Sequence, residues 1–213
     1  MLIEAWADLV CPWCYIGKQH LDKALTTYQA HQGRYETEVT WRAYRLVPGM
    51  RGGSGTTLPE FMAQRSGLPA EAVAERLAMV TGVAADAGLD LRLDKALPVD
   101  TFDAHRVASL AAVEGQRGAV TERLMRAYAT EGRDLSDHDT LCELAAECGL
   151  DAGAVRAVLA SGDFTDQVGA DEHRSRETGI SGVPFLLVEN RFAAGGAQDP
   201  EAIHALLDRA AAA

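Results

Sequence analysis

Two cysteines separated by two residues, Cys11-Pro12-Trp13-Cys14, carry the most definite chemistry in the chain. Such a pair can close into a disulfide or supply half of a metal site. Zinc needs two further ligands at suitable spacing. The other cysteines are Cys142 and Cys148, and no histidine forms a tight pair with either. A purely structural disulfide across so short a loop adds little stability. The balance therefore lies with thiol–disulfide exchange and with no metal.

The flanking residues say how the pair is held. Residues 2–10 form a short apolar run, with Ile3, Ala5, Trp6, Ala7 and Leu9, that reads as a buried strand. After the motif, Cys14, Lys18, Leu21, Leu25 and Tyr28 recur at helical spacing. Pro12 suits the first helical position, which makes Cys11 the N-cap. The first-turn N–H groups lack partners inside the helix, and the helix dipole adds partial positive charge there. Both favour a thiolate on Cys11, the form that attacks disulfides. Cys11 is the expected nucleophile, and Cys14, one turn in, the resolving thiol.

The chain of 213 residues allows one large domain or one domain with an insertion. Its formal charge of −11 argues against nucleic acid and anionic membrane surfaces as partners. The first residues show no basic segment followed by a long apolar one, and no apolar stretch reaches membrane-spanning length. A cytoplasmic location is the expectation, and in that reducing compartment a C-x-x-C pair is more often catalytic than structural. A mature secreted form would read the same way.

Further along, Gly33 marks a turn, residues 36–46 read as a second strand and residues 48–55 as a Gly-rich exit loop. From Thr57 the pattern is helical to Gly162. Thr57 with Glu60 forms a capping box. Ser136 with Asp139 opens a helix carrying Leu141, Leu144 and Cys148, and Asp151 caps the next. A polar helix over residues 165–178 precedes a strand at 183–188, a turn at Glu189-Asn190, a second hairpin strand at 191–194 and a last helix capped by Asp199. The fold class is thus α/β, with strands at both ends of the chain sharing one sheet. Residues 1–56 and 165–213 form the sheet domain, and residues 57–164 an inserted helical domain.

This outline resembles the DsbA-like branch of the thioredoxin fold, and more narrowly the FrnE-like proteins grouped with 2-hydroxychromene-2-carboxylate isomerases. The matching segments are residues 11–17 (CPWCYIG), Ala104-His105-Arg106, residues 127–132, residues 179–185 (GISGVPF) and residues 195–200 (GGAQDP). The resemblance implies a thiol–disulfide oxidoreductase acting on protein or small-molecule disulfides or thiols. It implies no bound cofactor, with glutathione as a candidate co-substrate. It also implies a cis Val183–Pro184 bond packed against the thiols, with the Val183 backbone open to an extended substrate by strand addition. A homodimer is compatible with it.

Two departures qualify the resemblance. Strongly oxidising relatives carry histidine where this chain has Trp13, which leaves the direction of electron flow open. The glutathione-dependent isomerases lack the paired cysteines and use serine at the first position, so both thiols here favour redox chemistry. The competing readings are such an isomerase or transferase on an aromatic polyketide-like substrate, and a non-catalytic binding module.

Other residues are candidates for supporting roles. Pro12 and Trp13 form apolar surface beside the thiol for substrate. His105, in the A-H-R match, is a candidate to face the site from the insertion, with a core role as the alternative. Asp8 is a candidate proton acceptor for Cys14, or a strand-end residue bonded to the turn. Cys148 lies on an apolar stripe and reads as core, with Cys142 beside it. Six residues apart, they fall on different faces of a helix and do not suit a second pair.

Overall fold

The computed structural model describes residues 1–32, 36–50 and 55–213. The turn expected at Gly33 and residues 51–54 of the exit loop lie outside the described residues. Four strands, β1 (Leu2–Ala7), β2 (Glu38–Ala43), β3 (Phe185–Val188) and β4 (Phe192–Gly195), form one sheet in the order β2-β1-β3-β4. β1 pairs with β2 in parallel and with β3 antiparallel, so Ala5 sits between Trp41 and Leu186. Strands from both ends of the chain share the sheet, as the α/β reading requires.

The central strand is buried on both faces, and its alternation assigns each side chain to a side. Ile3 and Ala5 enter a core with Leu21, Tyr28, Ile203 and Leu207 from α1 (Pro12–Gln32) and α9 (Pro200–Ala211). Glu4 and Trp6 point the other way. The Trp6 indole N–H donates to the Asp171 carbonyl of α8 (Thr165–Glu177), and Arg174 of the same helix reaches Glu4.

The intervening helices are α2 (Leu58–Ser66), α3 (Ala70–Asp86), α4 (Phe102–Val113), α5 (Arg117–Ala129), α6 (His138–Glu147) and α7 (Ala152–Ala160). Their core is continuous with the dithiol turn, since Cys11, Cys14 and Ile16 belong to the same buried cluster as Val107, Leu124 and Leu144. Glu122 of α5 ties the two regions together. It accepts hydrogen bonds from Tyr15 and Gln19 and pairs with Lys18, all on α1. Burial works against the Lys18 charge, but Asp22 and Glu122 outweigh it and hold its pKa up.

Local signals place most boundaries. Thr57 and Glu60 form the capping box, and Asp151 caps α7 through Ala154 N–H. Glu189 and Asn190 both take positive φ in the β3–β4 turn. Asp199 occupies the N-cap of α9, but its side chain makes no capping bond. Some expectations need correction: β2 is shorter than residues 36–46, and β3 begins at Phe185 rather than at 183. α6 is capped by Asp137, whose carboxylate accepts the Thr140 N–H, while the Ser136 hydroxyl is taken by Asp134. α6 ends at Glu147, so Cys148 is its C-cap and only partly buried; Cys142 is the cysteine in the core. β1 stops at Ala7, because the chain turns at Asp8, whose carbonyl accepts the Cys11 N–H.

Candidate active site

The two thiols sit where a strand from the sheet hands over to a helix. Cys11 precedes the first residue of α1, and its carbonyl accepts the N–H groups of Cys14 and Tyr15. Pro12 is the first helical residue, as its fixed φ allows. Cys11 is 6% exposed and Cys14 is fully buried, and both are free thiols. Burial, together with the neighbouring Cys11 sulfur, pushes the Cys14 thiol well above its ordinary pKa. Cys14 is therefore held as the neutral thiol.

Val183 and Pro184 lie 172 and 170 residues away in sequence from Cys11 and Cys14 respectively and return to the same turn. The Cys11 thiol is directed at the Val183 carbonyl oxygen, 4.0 Å away, and the Val183–Pro184 peptide is cis. Pro184 rests on the first turns of α1. A Cβ added at Gly17 would lie 3.0 Å from Pro184 Cγ and 3.3 Å from its Cβ. Gly17 is thus the residue that lets the proline approach, and nothing local in the sequence marks that contact. Gly17→Ala should displace the Val183-Pro184 segment from Cys11. Overpacking of this kind costs about 1–3 kcal/mol. The expected outcome is a lower urea midpoint together with slower disulfide exchange; an unchanged rate would disconnect the segment from the chemistry.

Behind the thiols is a buried polar group. Asp8 is 1% exposed and accepts hydrogen bonds from the Leu46 N–H at 2.6 Å and the Thr101 hydroxyl at 2.7 Å. His105 Nε2 lies 3.6 Å from Asp8 Oδ1 and makes no hydrogen bond. His105 is buried there and, like Val183 and Pro184, is not among the residues lining the cleft beside Cys11. Asp8 is a strand-end residue bonded to the following segments. Tyr128 is buried nearby; burial, and after it the negative field of Asp8 and Cys11, pushes its phenol up.

In front of the thiols is an apolar cleft of about 520 Å³, lined by Cys11, Pro12, Trp13 and Tyr128 on one side and by Phe61 and Met79 of the α2–α3 pair on the other. The sequence pointed to Pro12 and Trp13 here but not to α2 and α3, whose contribution depends on contacts across the fold. Leu46 and Met79 line the cleft and are 39% and 55% exposed, against the usual burial of such side chains. Among the described residues, no group of three or more His, Cys, Asp or Glu side chains is placed to hold a metal ion, and no helix is long and apolar enough to cross a membrane.

A family model described as a DSBA-like thioredoxin domain matches residues 2–208. A probable DsbA oxidoreductase from Streptomyces coelicolor superposes with a TM-score of 0.93 at 33% identity, covering 100% of this chain and 90% of that one. The cytosolic disulfide reductase DsbM from Pseudomonas aeruginosa, solved with GSH, gives 0.68 at 20% identity, covering all of both chains. A 2-hydroxychromene-2-carboxylate isomerase gives 0.68 at 17% identity over 98% of this chain and 95% of that one. The last two likenesses are of fold.

Proposed function

The chain belongs to the DSBA-like thioredoxin domain family, and on that premise we propose that Cys11 and Cys14 form the redox pair of a thiol–disulfide oxidoreductase. The observation that carries this reading is the placement of Cys11 at the start of α1, facing the Val183 carbonyl, with Cys14 sealed one turn behind it. In the reductive direction the Cys11 thiolate attacks one sulfur of a substrate disulfide. The Cys11–substrate bond forms, the substrate S–S bond breaks, and the departing sulfur leaves as thiolate. Cys14 then gives up its proton and attacks Cys11 Sγ, which releases the second substrate thiol and leaves Cys11–Cys14 oxidised. The buried, neutral state of Cys14 suits this order, because it keeps the resolving thiol idle until the mixed disulfide has formed.

Substrate binding is assigned to Pro12, Trp13, Val183 and Pro184. The Val183 backbone can pair with an extended chain, and Trp13 offers apolar contact. The helical insertion, residues 57–164, supplies the far wall of the cleft through α2 and α3. A small thiol must reduce the oxidised pair, and glutathione is proposed for it, supported by DsbM having been solved with GSH. A cytoplasmic setting, with disulfide-bearing proteins or small molecules as partners, fits the same chemistry. The narrower FrnE-like assignment rests on the residue segments named above.

Turnover of hydroxyethyl disulfide with glutathione as reductant tests the proposal. Wild-type protein should catalyse it, and Cys11→Ser should fall to the uncatalysed exchange rate. Equal rates for the two proteins would overturn the reading.

A further inference from the structure

A second cavity, of about 620 Å³, lies away from the dithiol between β2, the end of α4 and the starts of α5 and α8. Its walls include Trp41, Ser109, Val113, Arg117, Phe164 and Gln167. Several independent features converge on it.

The first is Arg117. Among the described residues no carboxylate lies within ion-pair distance of its guanidinium. Nη1 donates to Ser109 Oγ at 3.3 Å, and Nε is buried without an acceptor. Burial lowers its pKa; Asp171 opposes this from a distance, and Arg42 adds to it. Arg117 is a half-buried cation without a carboxylate, whereas Arg42 and Arg123 are each paired with acidic side chains.

The second is Phe164, whose φ is 62°. Glu189 and Asn190 share that region because they make a hairpin turn. Phe164 is a bulky aromatic at the start of α8, with no side-chain capping bond to account for it. Such a conformation is unfavourable for a bulky side chain. The third is Val113, at 72% exposure the most exposed of the large apolar side chains described. The fourth is the strand edge. Glu38 and Tyr44 donate to Met1 and Ala7 across the β1 side, so in a parallel ladder the Trp41 peptide groups face outward toward this cavity.

We propose that this cavity is a binding site for a small organic monoanion, its carboxylate paired with Arg117 and its apolar body against Trp41, Val113 and Phe164. The volume is that of a small-molecule site. A planar carboxylate matches the guanidinium fork. Glu38 in the wall offsets Arg42, the overall charge of −11 disfavours a polyanion, and Trp41, Val113 and Phe164 would gain nothing from a bare inorganic ion.

Amide-resolved NMR titration of the full, reduced chain tests this, with 3-phenylpropionate as probe, 3-phenylpropanamide as its neutral counterpart and inorganic phosphate as the bare anion, all at fixed ionic strength. The acid should give saturable shifts at Trp41, Gly118 and Gln167, and bind about tenfold or more tightly than the amide. Arg117→Met should remove that preference and leave exchange at Cys11 unchanged. Equal binding of acid and amide, shifts elsewhere only, or phosphate binding as tightly as phenylpropionate would each overturn the assignment. The wild-type comparison of acid with amide decides the matter even if the variant fails to fold.

Discussion

Cys14→Ala should accumulate one disulfide-linked substrate adduct per chain on Cys11 and stop turning over. Nothing in the first attack requires Cys14, so adduct formation should proceed at close to the wild-type rate. In the absence of added thiol, release requires a thiol one helical turn away, and the variant has none there. The adduct should be cleaved by added dithiothreitol and be absent in Cys11→Ala/Cys14→Ala. Mass spectrometry of the intact protein after mixing with a disulfide substrate reads all of this. If Cys14→Ala still turns over fully, no internal disulfide is formed in the cycle. The mechanism would then be that of a single-thiol, glutathione-dependent enzyme.

Glu4→Ala should be strongly destabilising, although it lies outside the dithiol turn. The Glu4 carboxylate is 2% exposed and lies between Arg42 and Arg174. Arg42 Nε and Nη2 donate to Oε1 at 2.9 and 2.8 Å, and Arg174 Nε donates to it at 2.8 Å. Asp171 completes the group, accepting from Arg42 Nη1 at 2.9 Å and the Ala43 N–H at 3.0 Å. Removing one member of a fully buried ion pair costs about 3–5 kcal/mol. Here Arg42 keeps Asp171 and the two arginines are 24% and 35% exposed, so the expected loss lies at the low end of that range. Burial alone would raise the Glu4 pKa, but the hydrogen bonds from Arg174 and Arg42 outweigh it and hold the value below that of an ordinary carboxylate. The folded pKa is thus below the unfolded one, near 4.3. The contribution is complete above about pH 4.3 and is lost as pH falls through the lower folded value. Wild-type urea midpoints should therefore drop on acidification below about pH 4.3, and Glu4→Ala should show a smaller drop from a lower start. A variant of wild-type stability at neutral pH would contradict the role given to this group.

What the sequence revealed was local. Cys11, Pro12 and Cys14 could be placed on a strand-to-helix turn because the apolar run before them and the periodicity after them are contiguous. The capping box at Thr57 and the turn at Glu189-Asn190 were legible for the same reason. Glu4 was not. A carboxylate inside an apolar run becomes intelligible only through Arg42 and Arg174, 38 and 170 residues away. Gly17 is likewise explained by Pro184, far along the chain. The α6 end shows how close alternatives defeat pattern reading. The apolar stripe extended to Cys148, but the helix stops one residue earlier, so Cys142 takes the core position. The pattern pointed to Ser136 as the cap of α6, but its hydroxyl is taken by Asp134 and the neighbouring Asp137 carboxylate reaches the Thr140 N–H instead.

The Val183-Pro184 wall came from likeness to a family, since a lone X-Pro pair before an apolar run says little by itself. The cleft was missed because its far side is built by α2 and α3. α2 contributes no buried residue, so its sequence carries little apolar signal, yet Phe61 and Met62 line the space beside Cys11. The exposed Leu46 and Met79 are the features that give the cleft away, and exposure is a property of the folded chain.

The central claim is that Cys11 and Cys14, and no other thiols, exchange electrons as a pair. Equilibrating the protein across a series of glutathione redox buffers, quenching with acid and mapping the disulfides by peptide mass spectrometry tests it directly. The expected result is one two-electron transition in which the Cys11–Cys14 disulfide forms while Cys142 and Cys148 stay free. Its midpoint against the glutathione couple would give the direction of electron flow that Trp13 leaves open. Thiols that stay reduced throughout, or a disulfide that includes Cys142 or Cys148, would contradict the account.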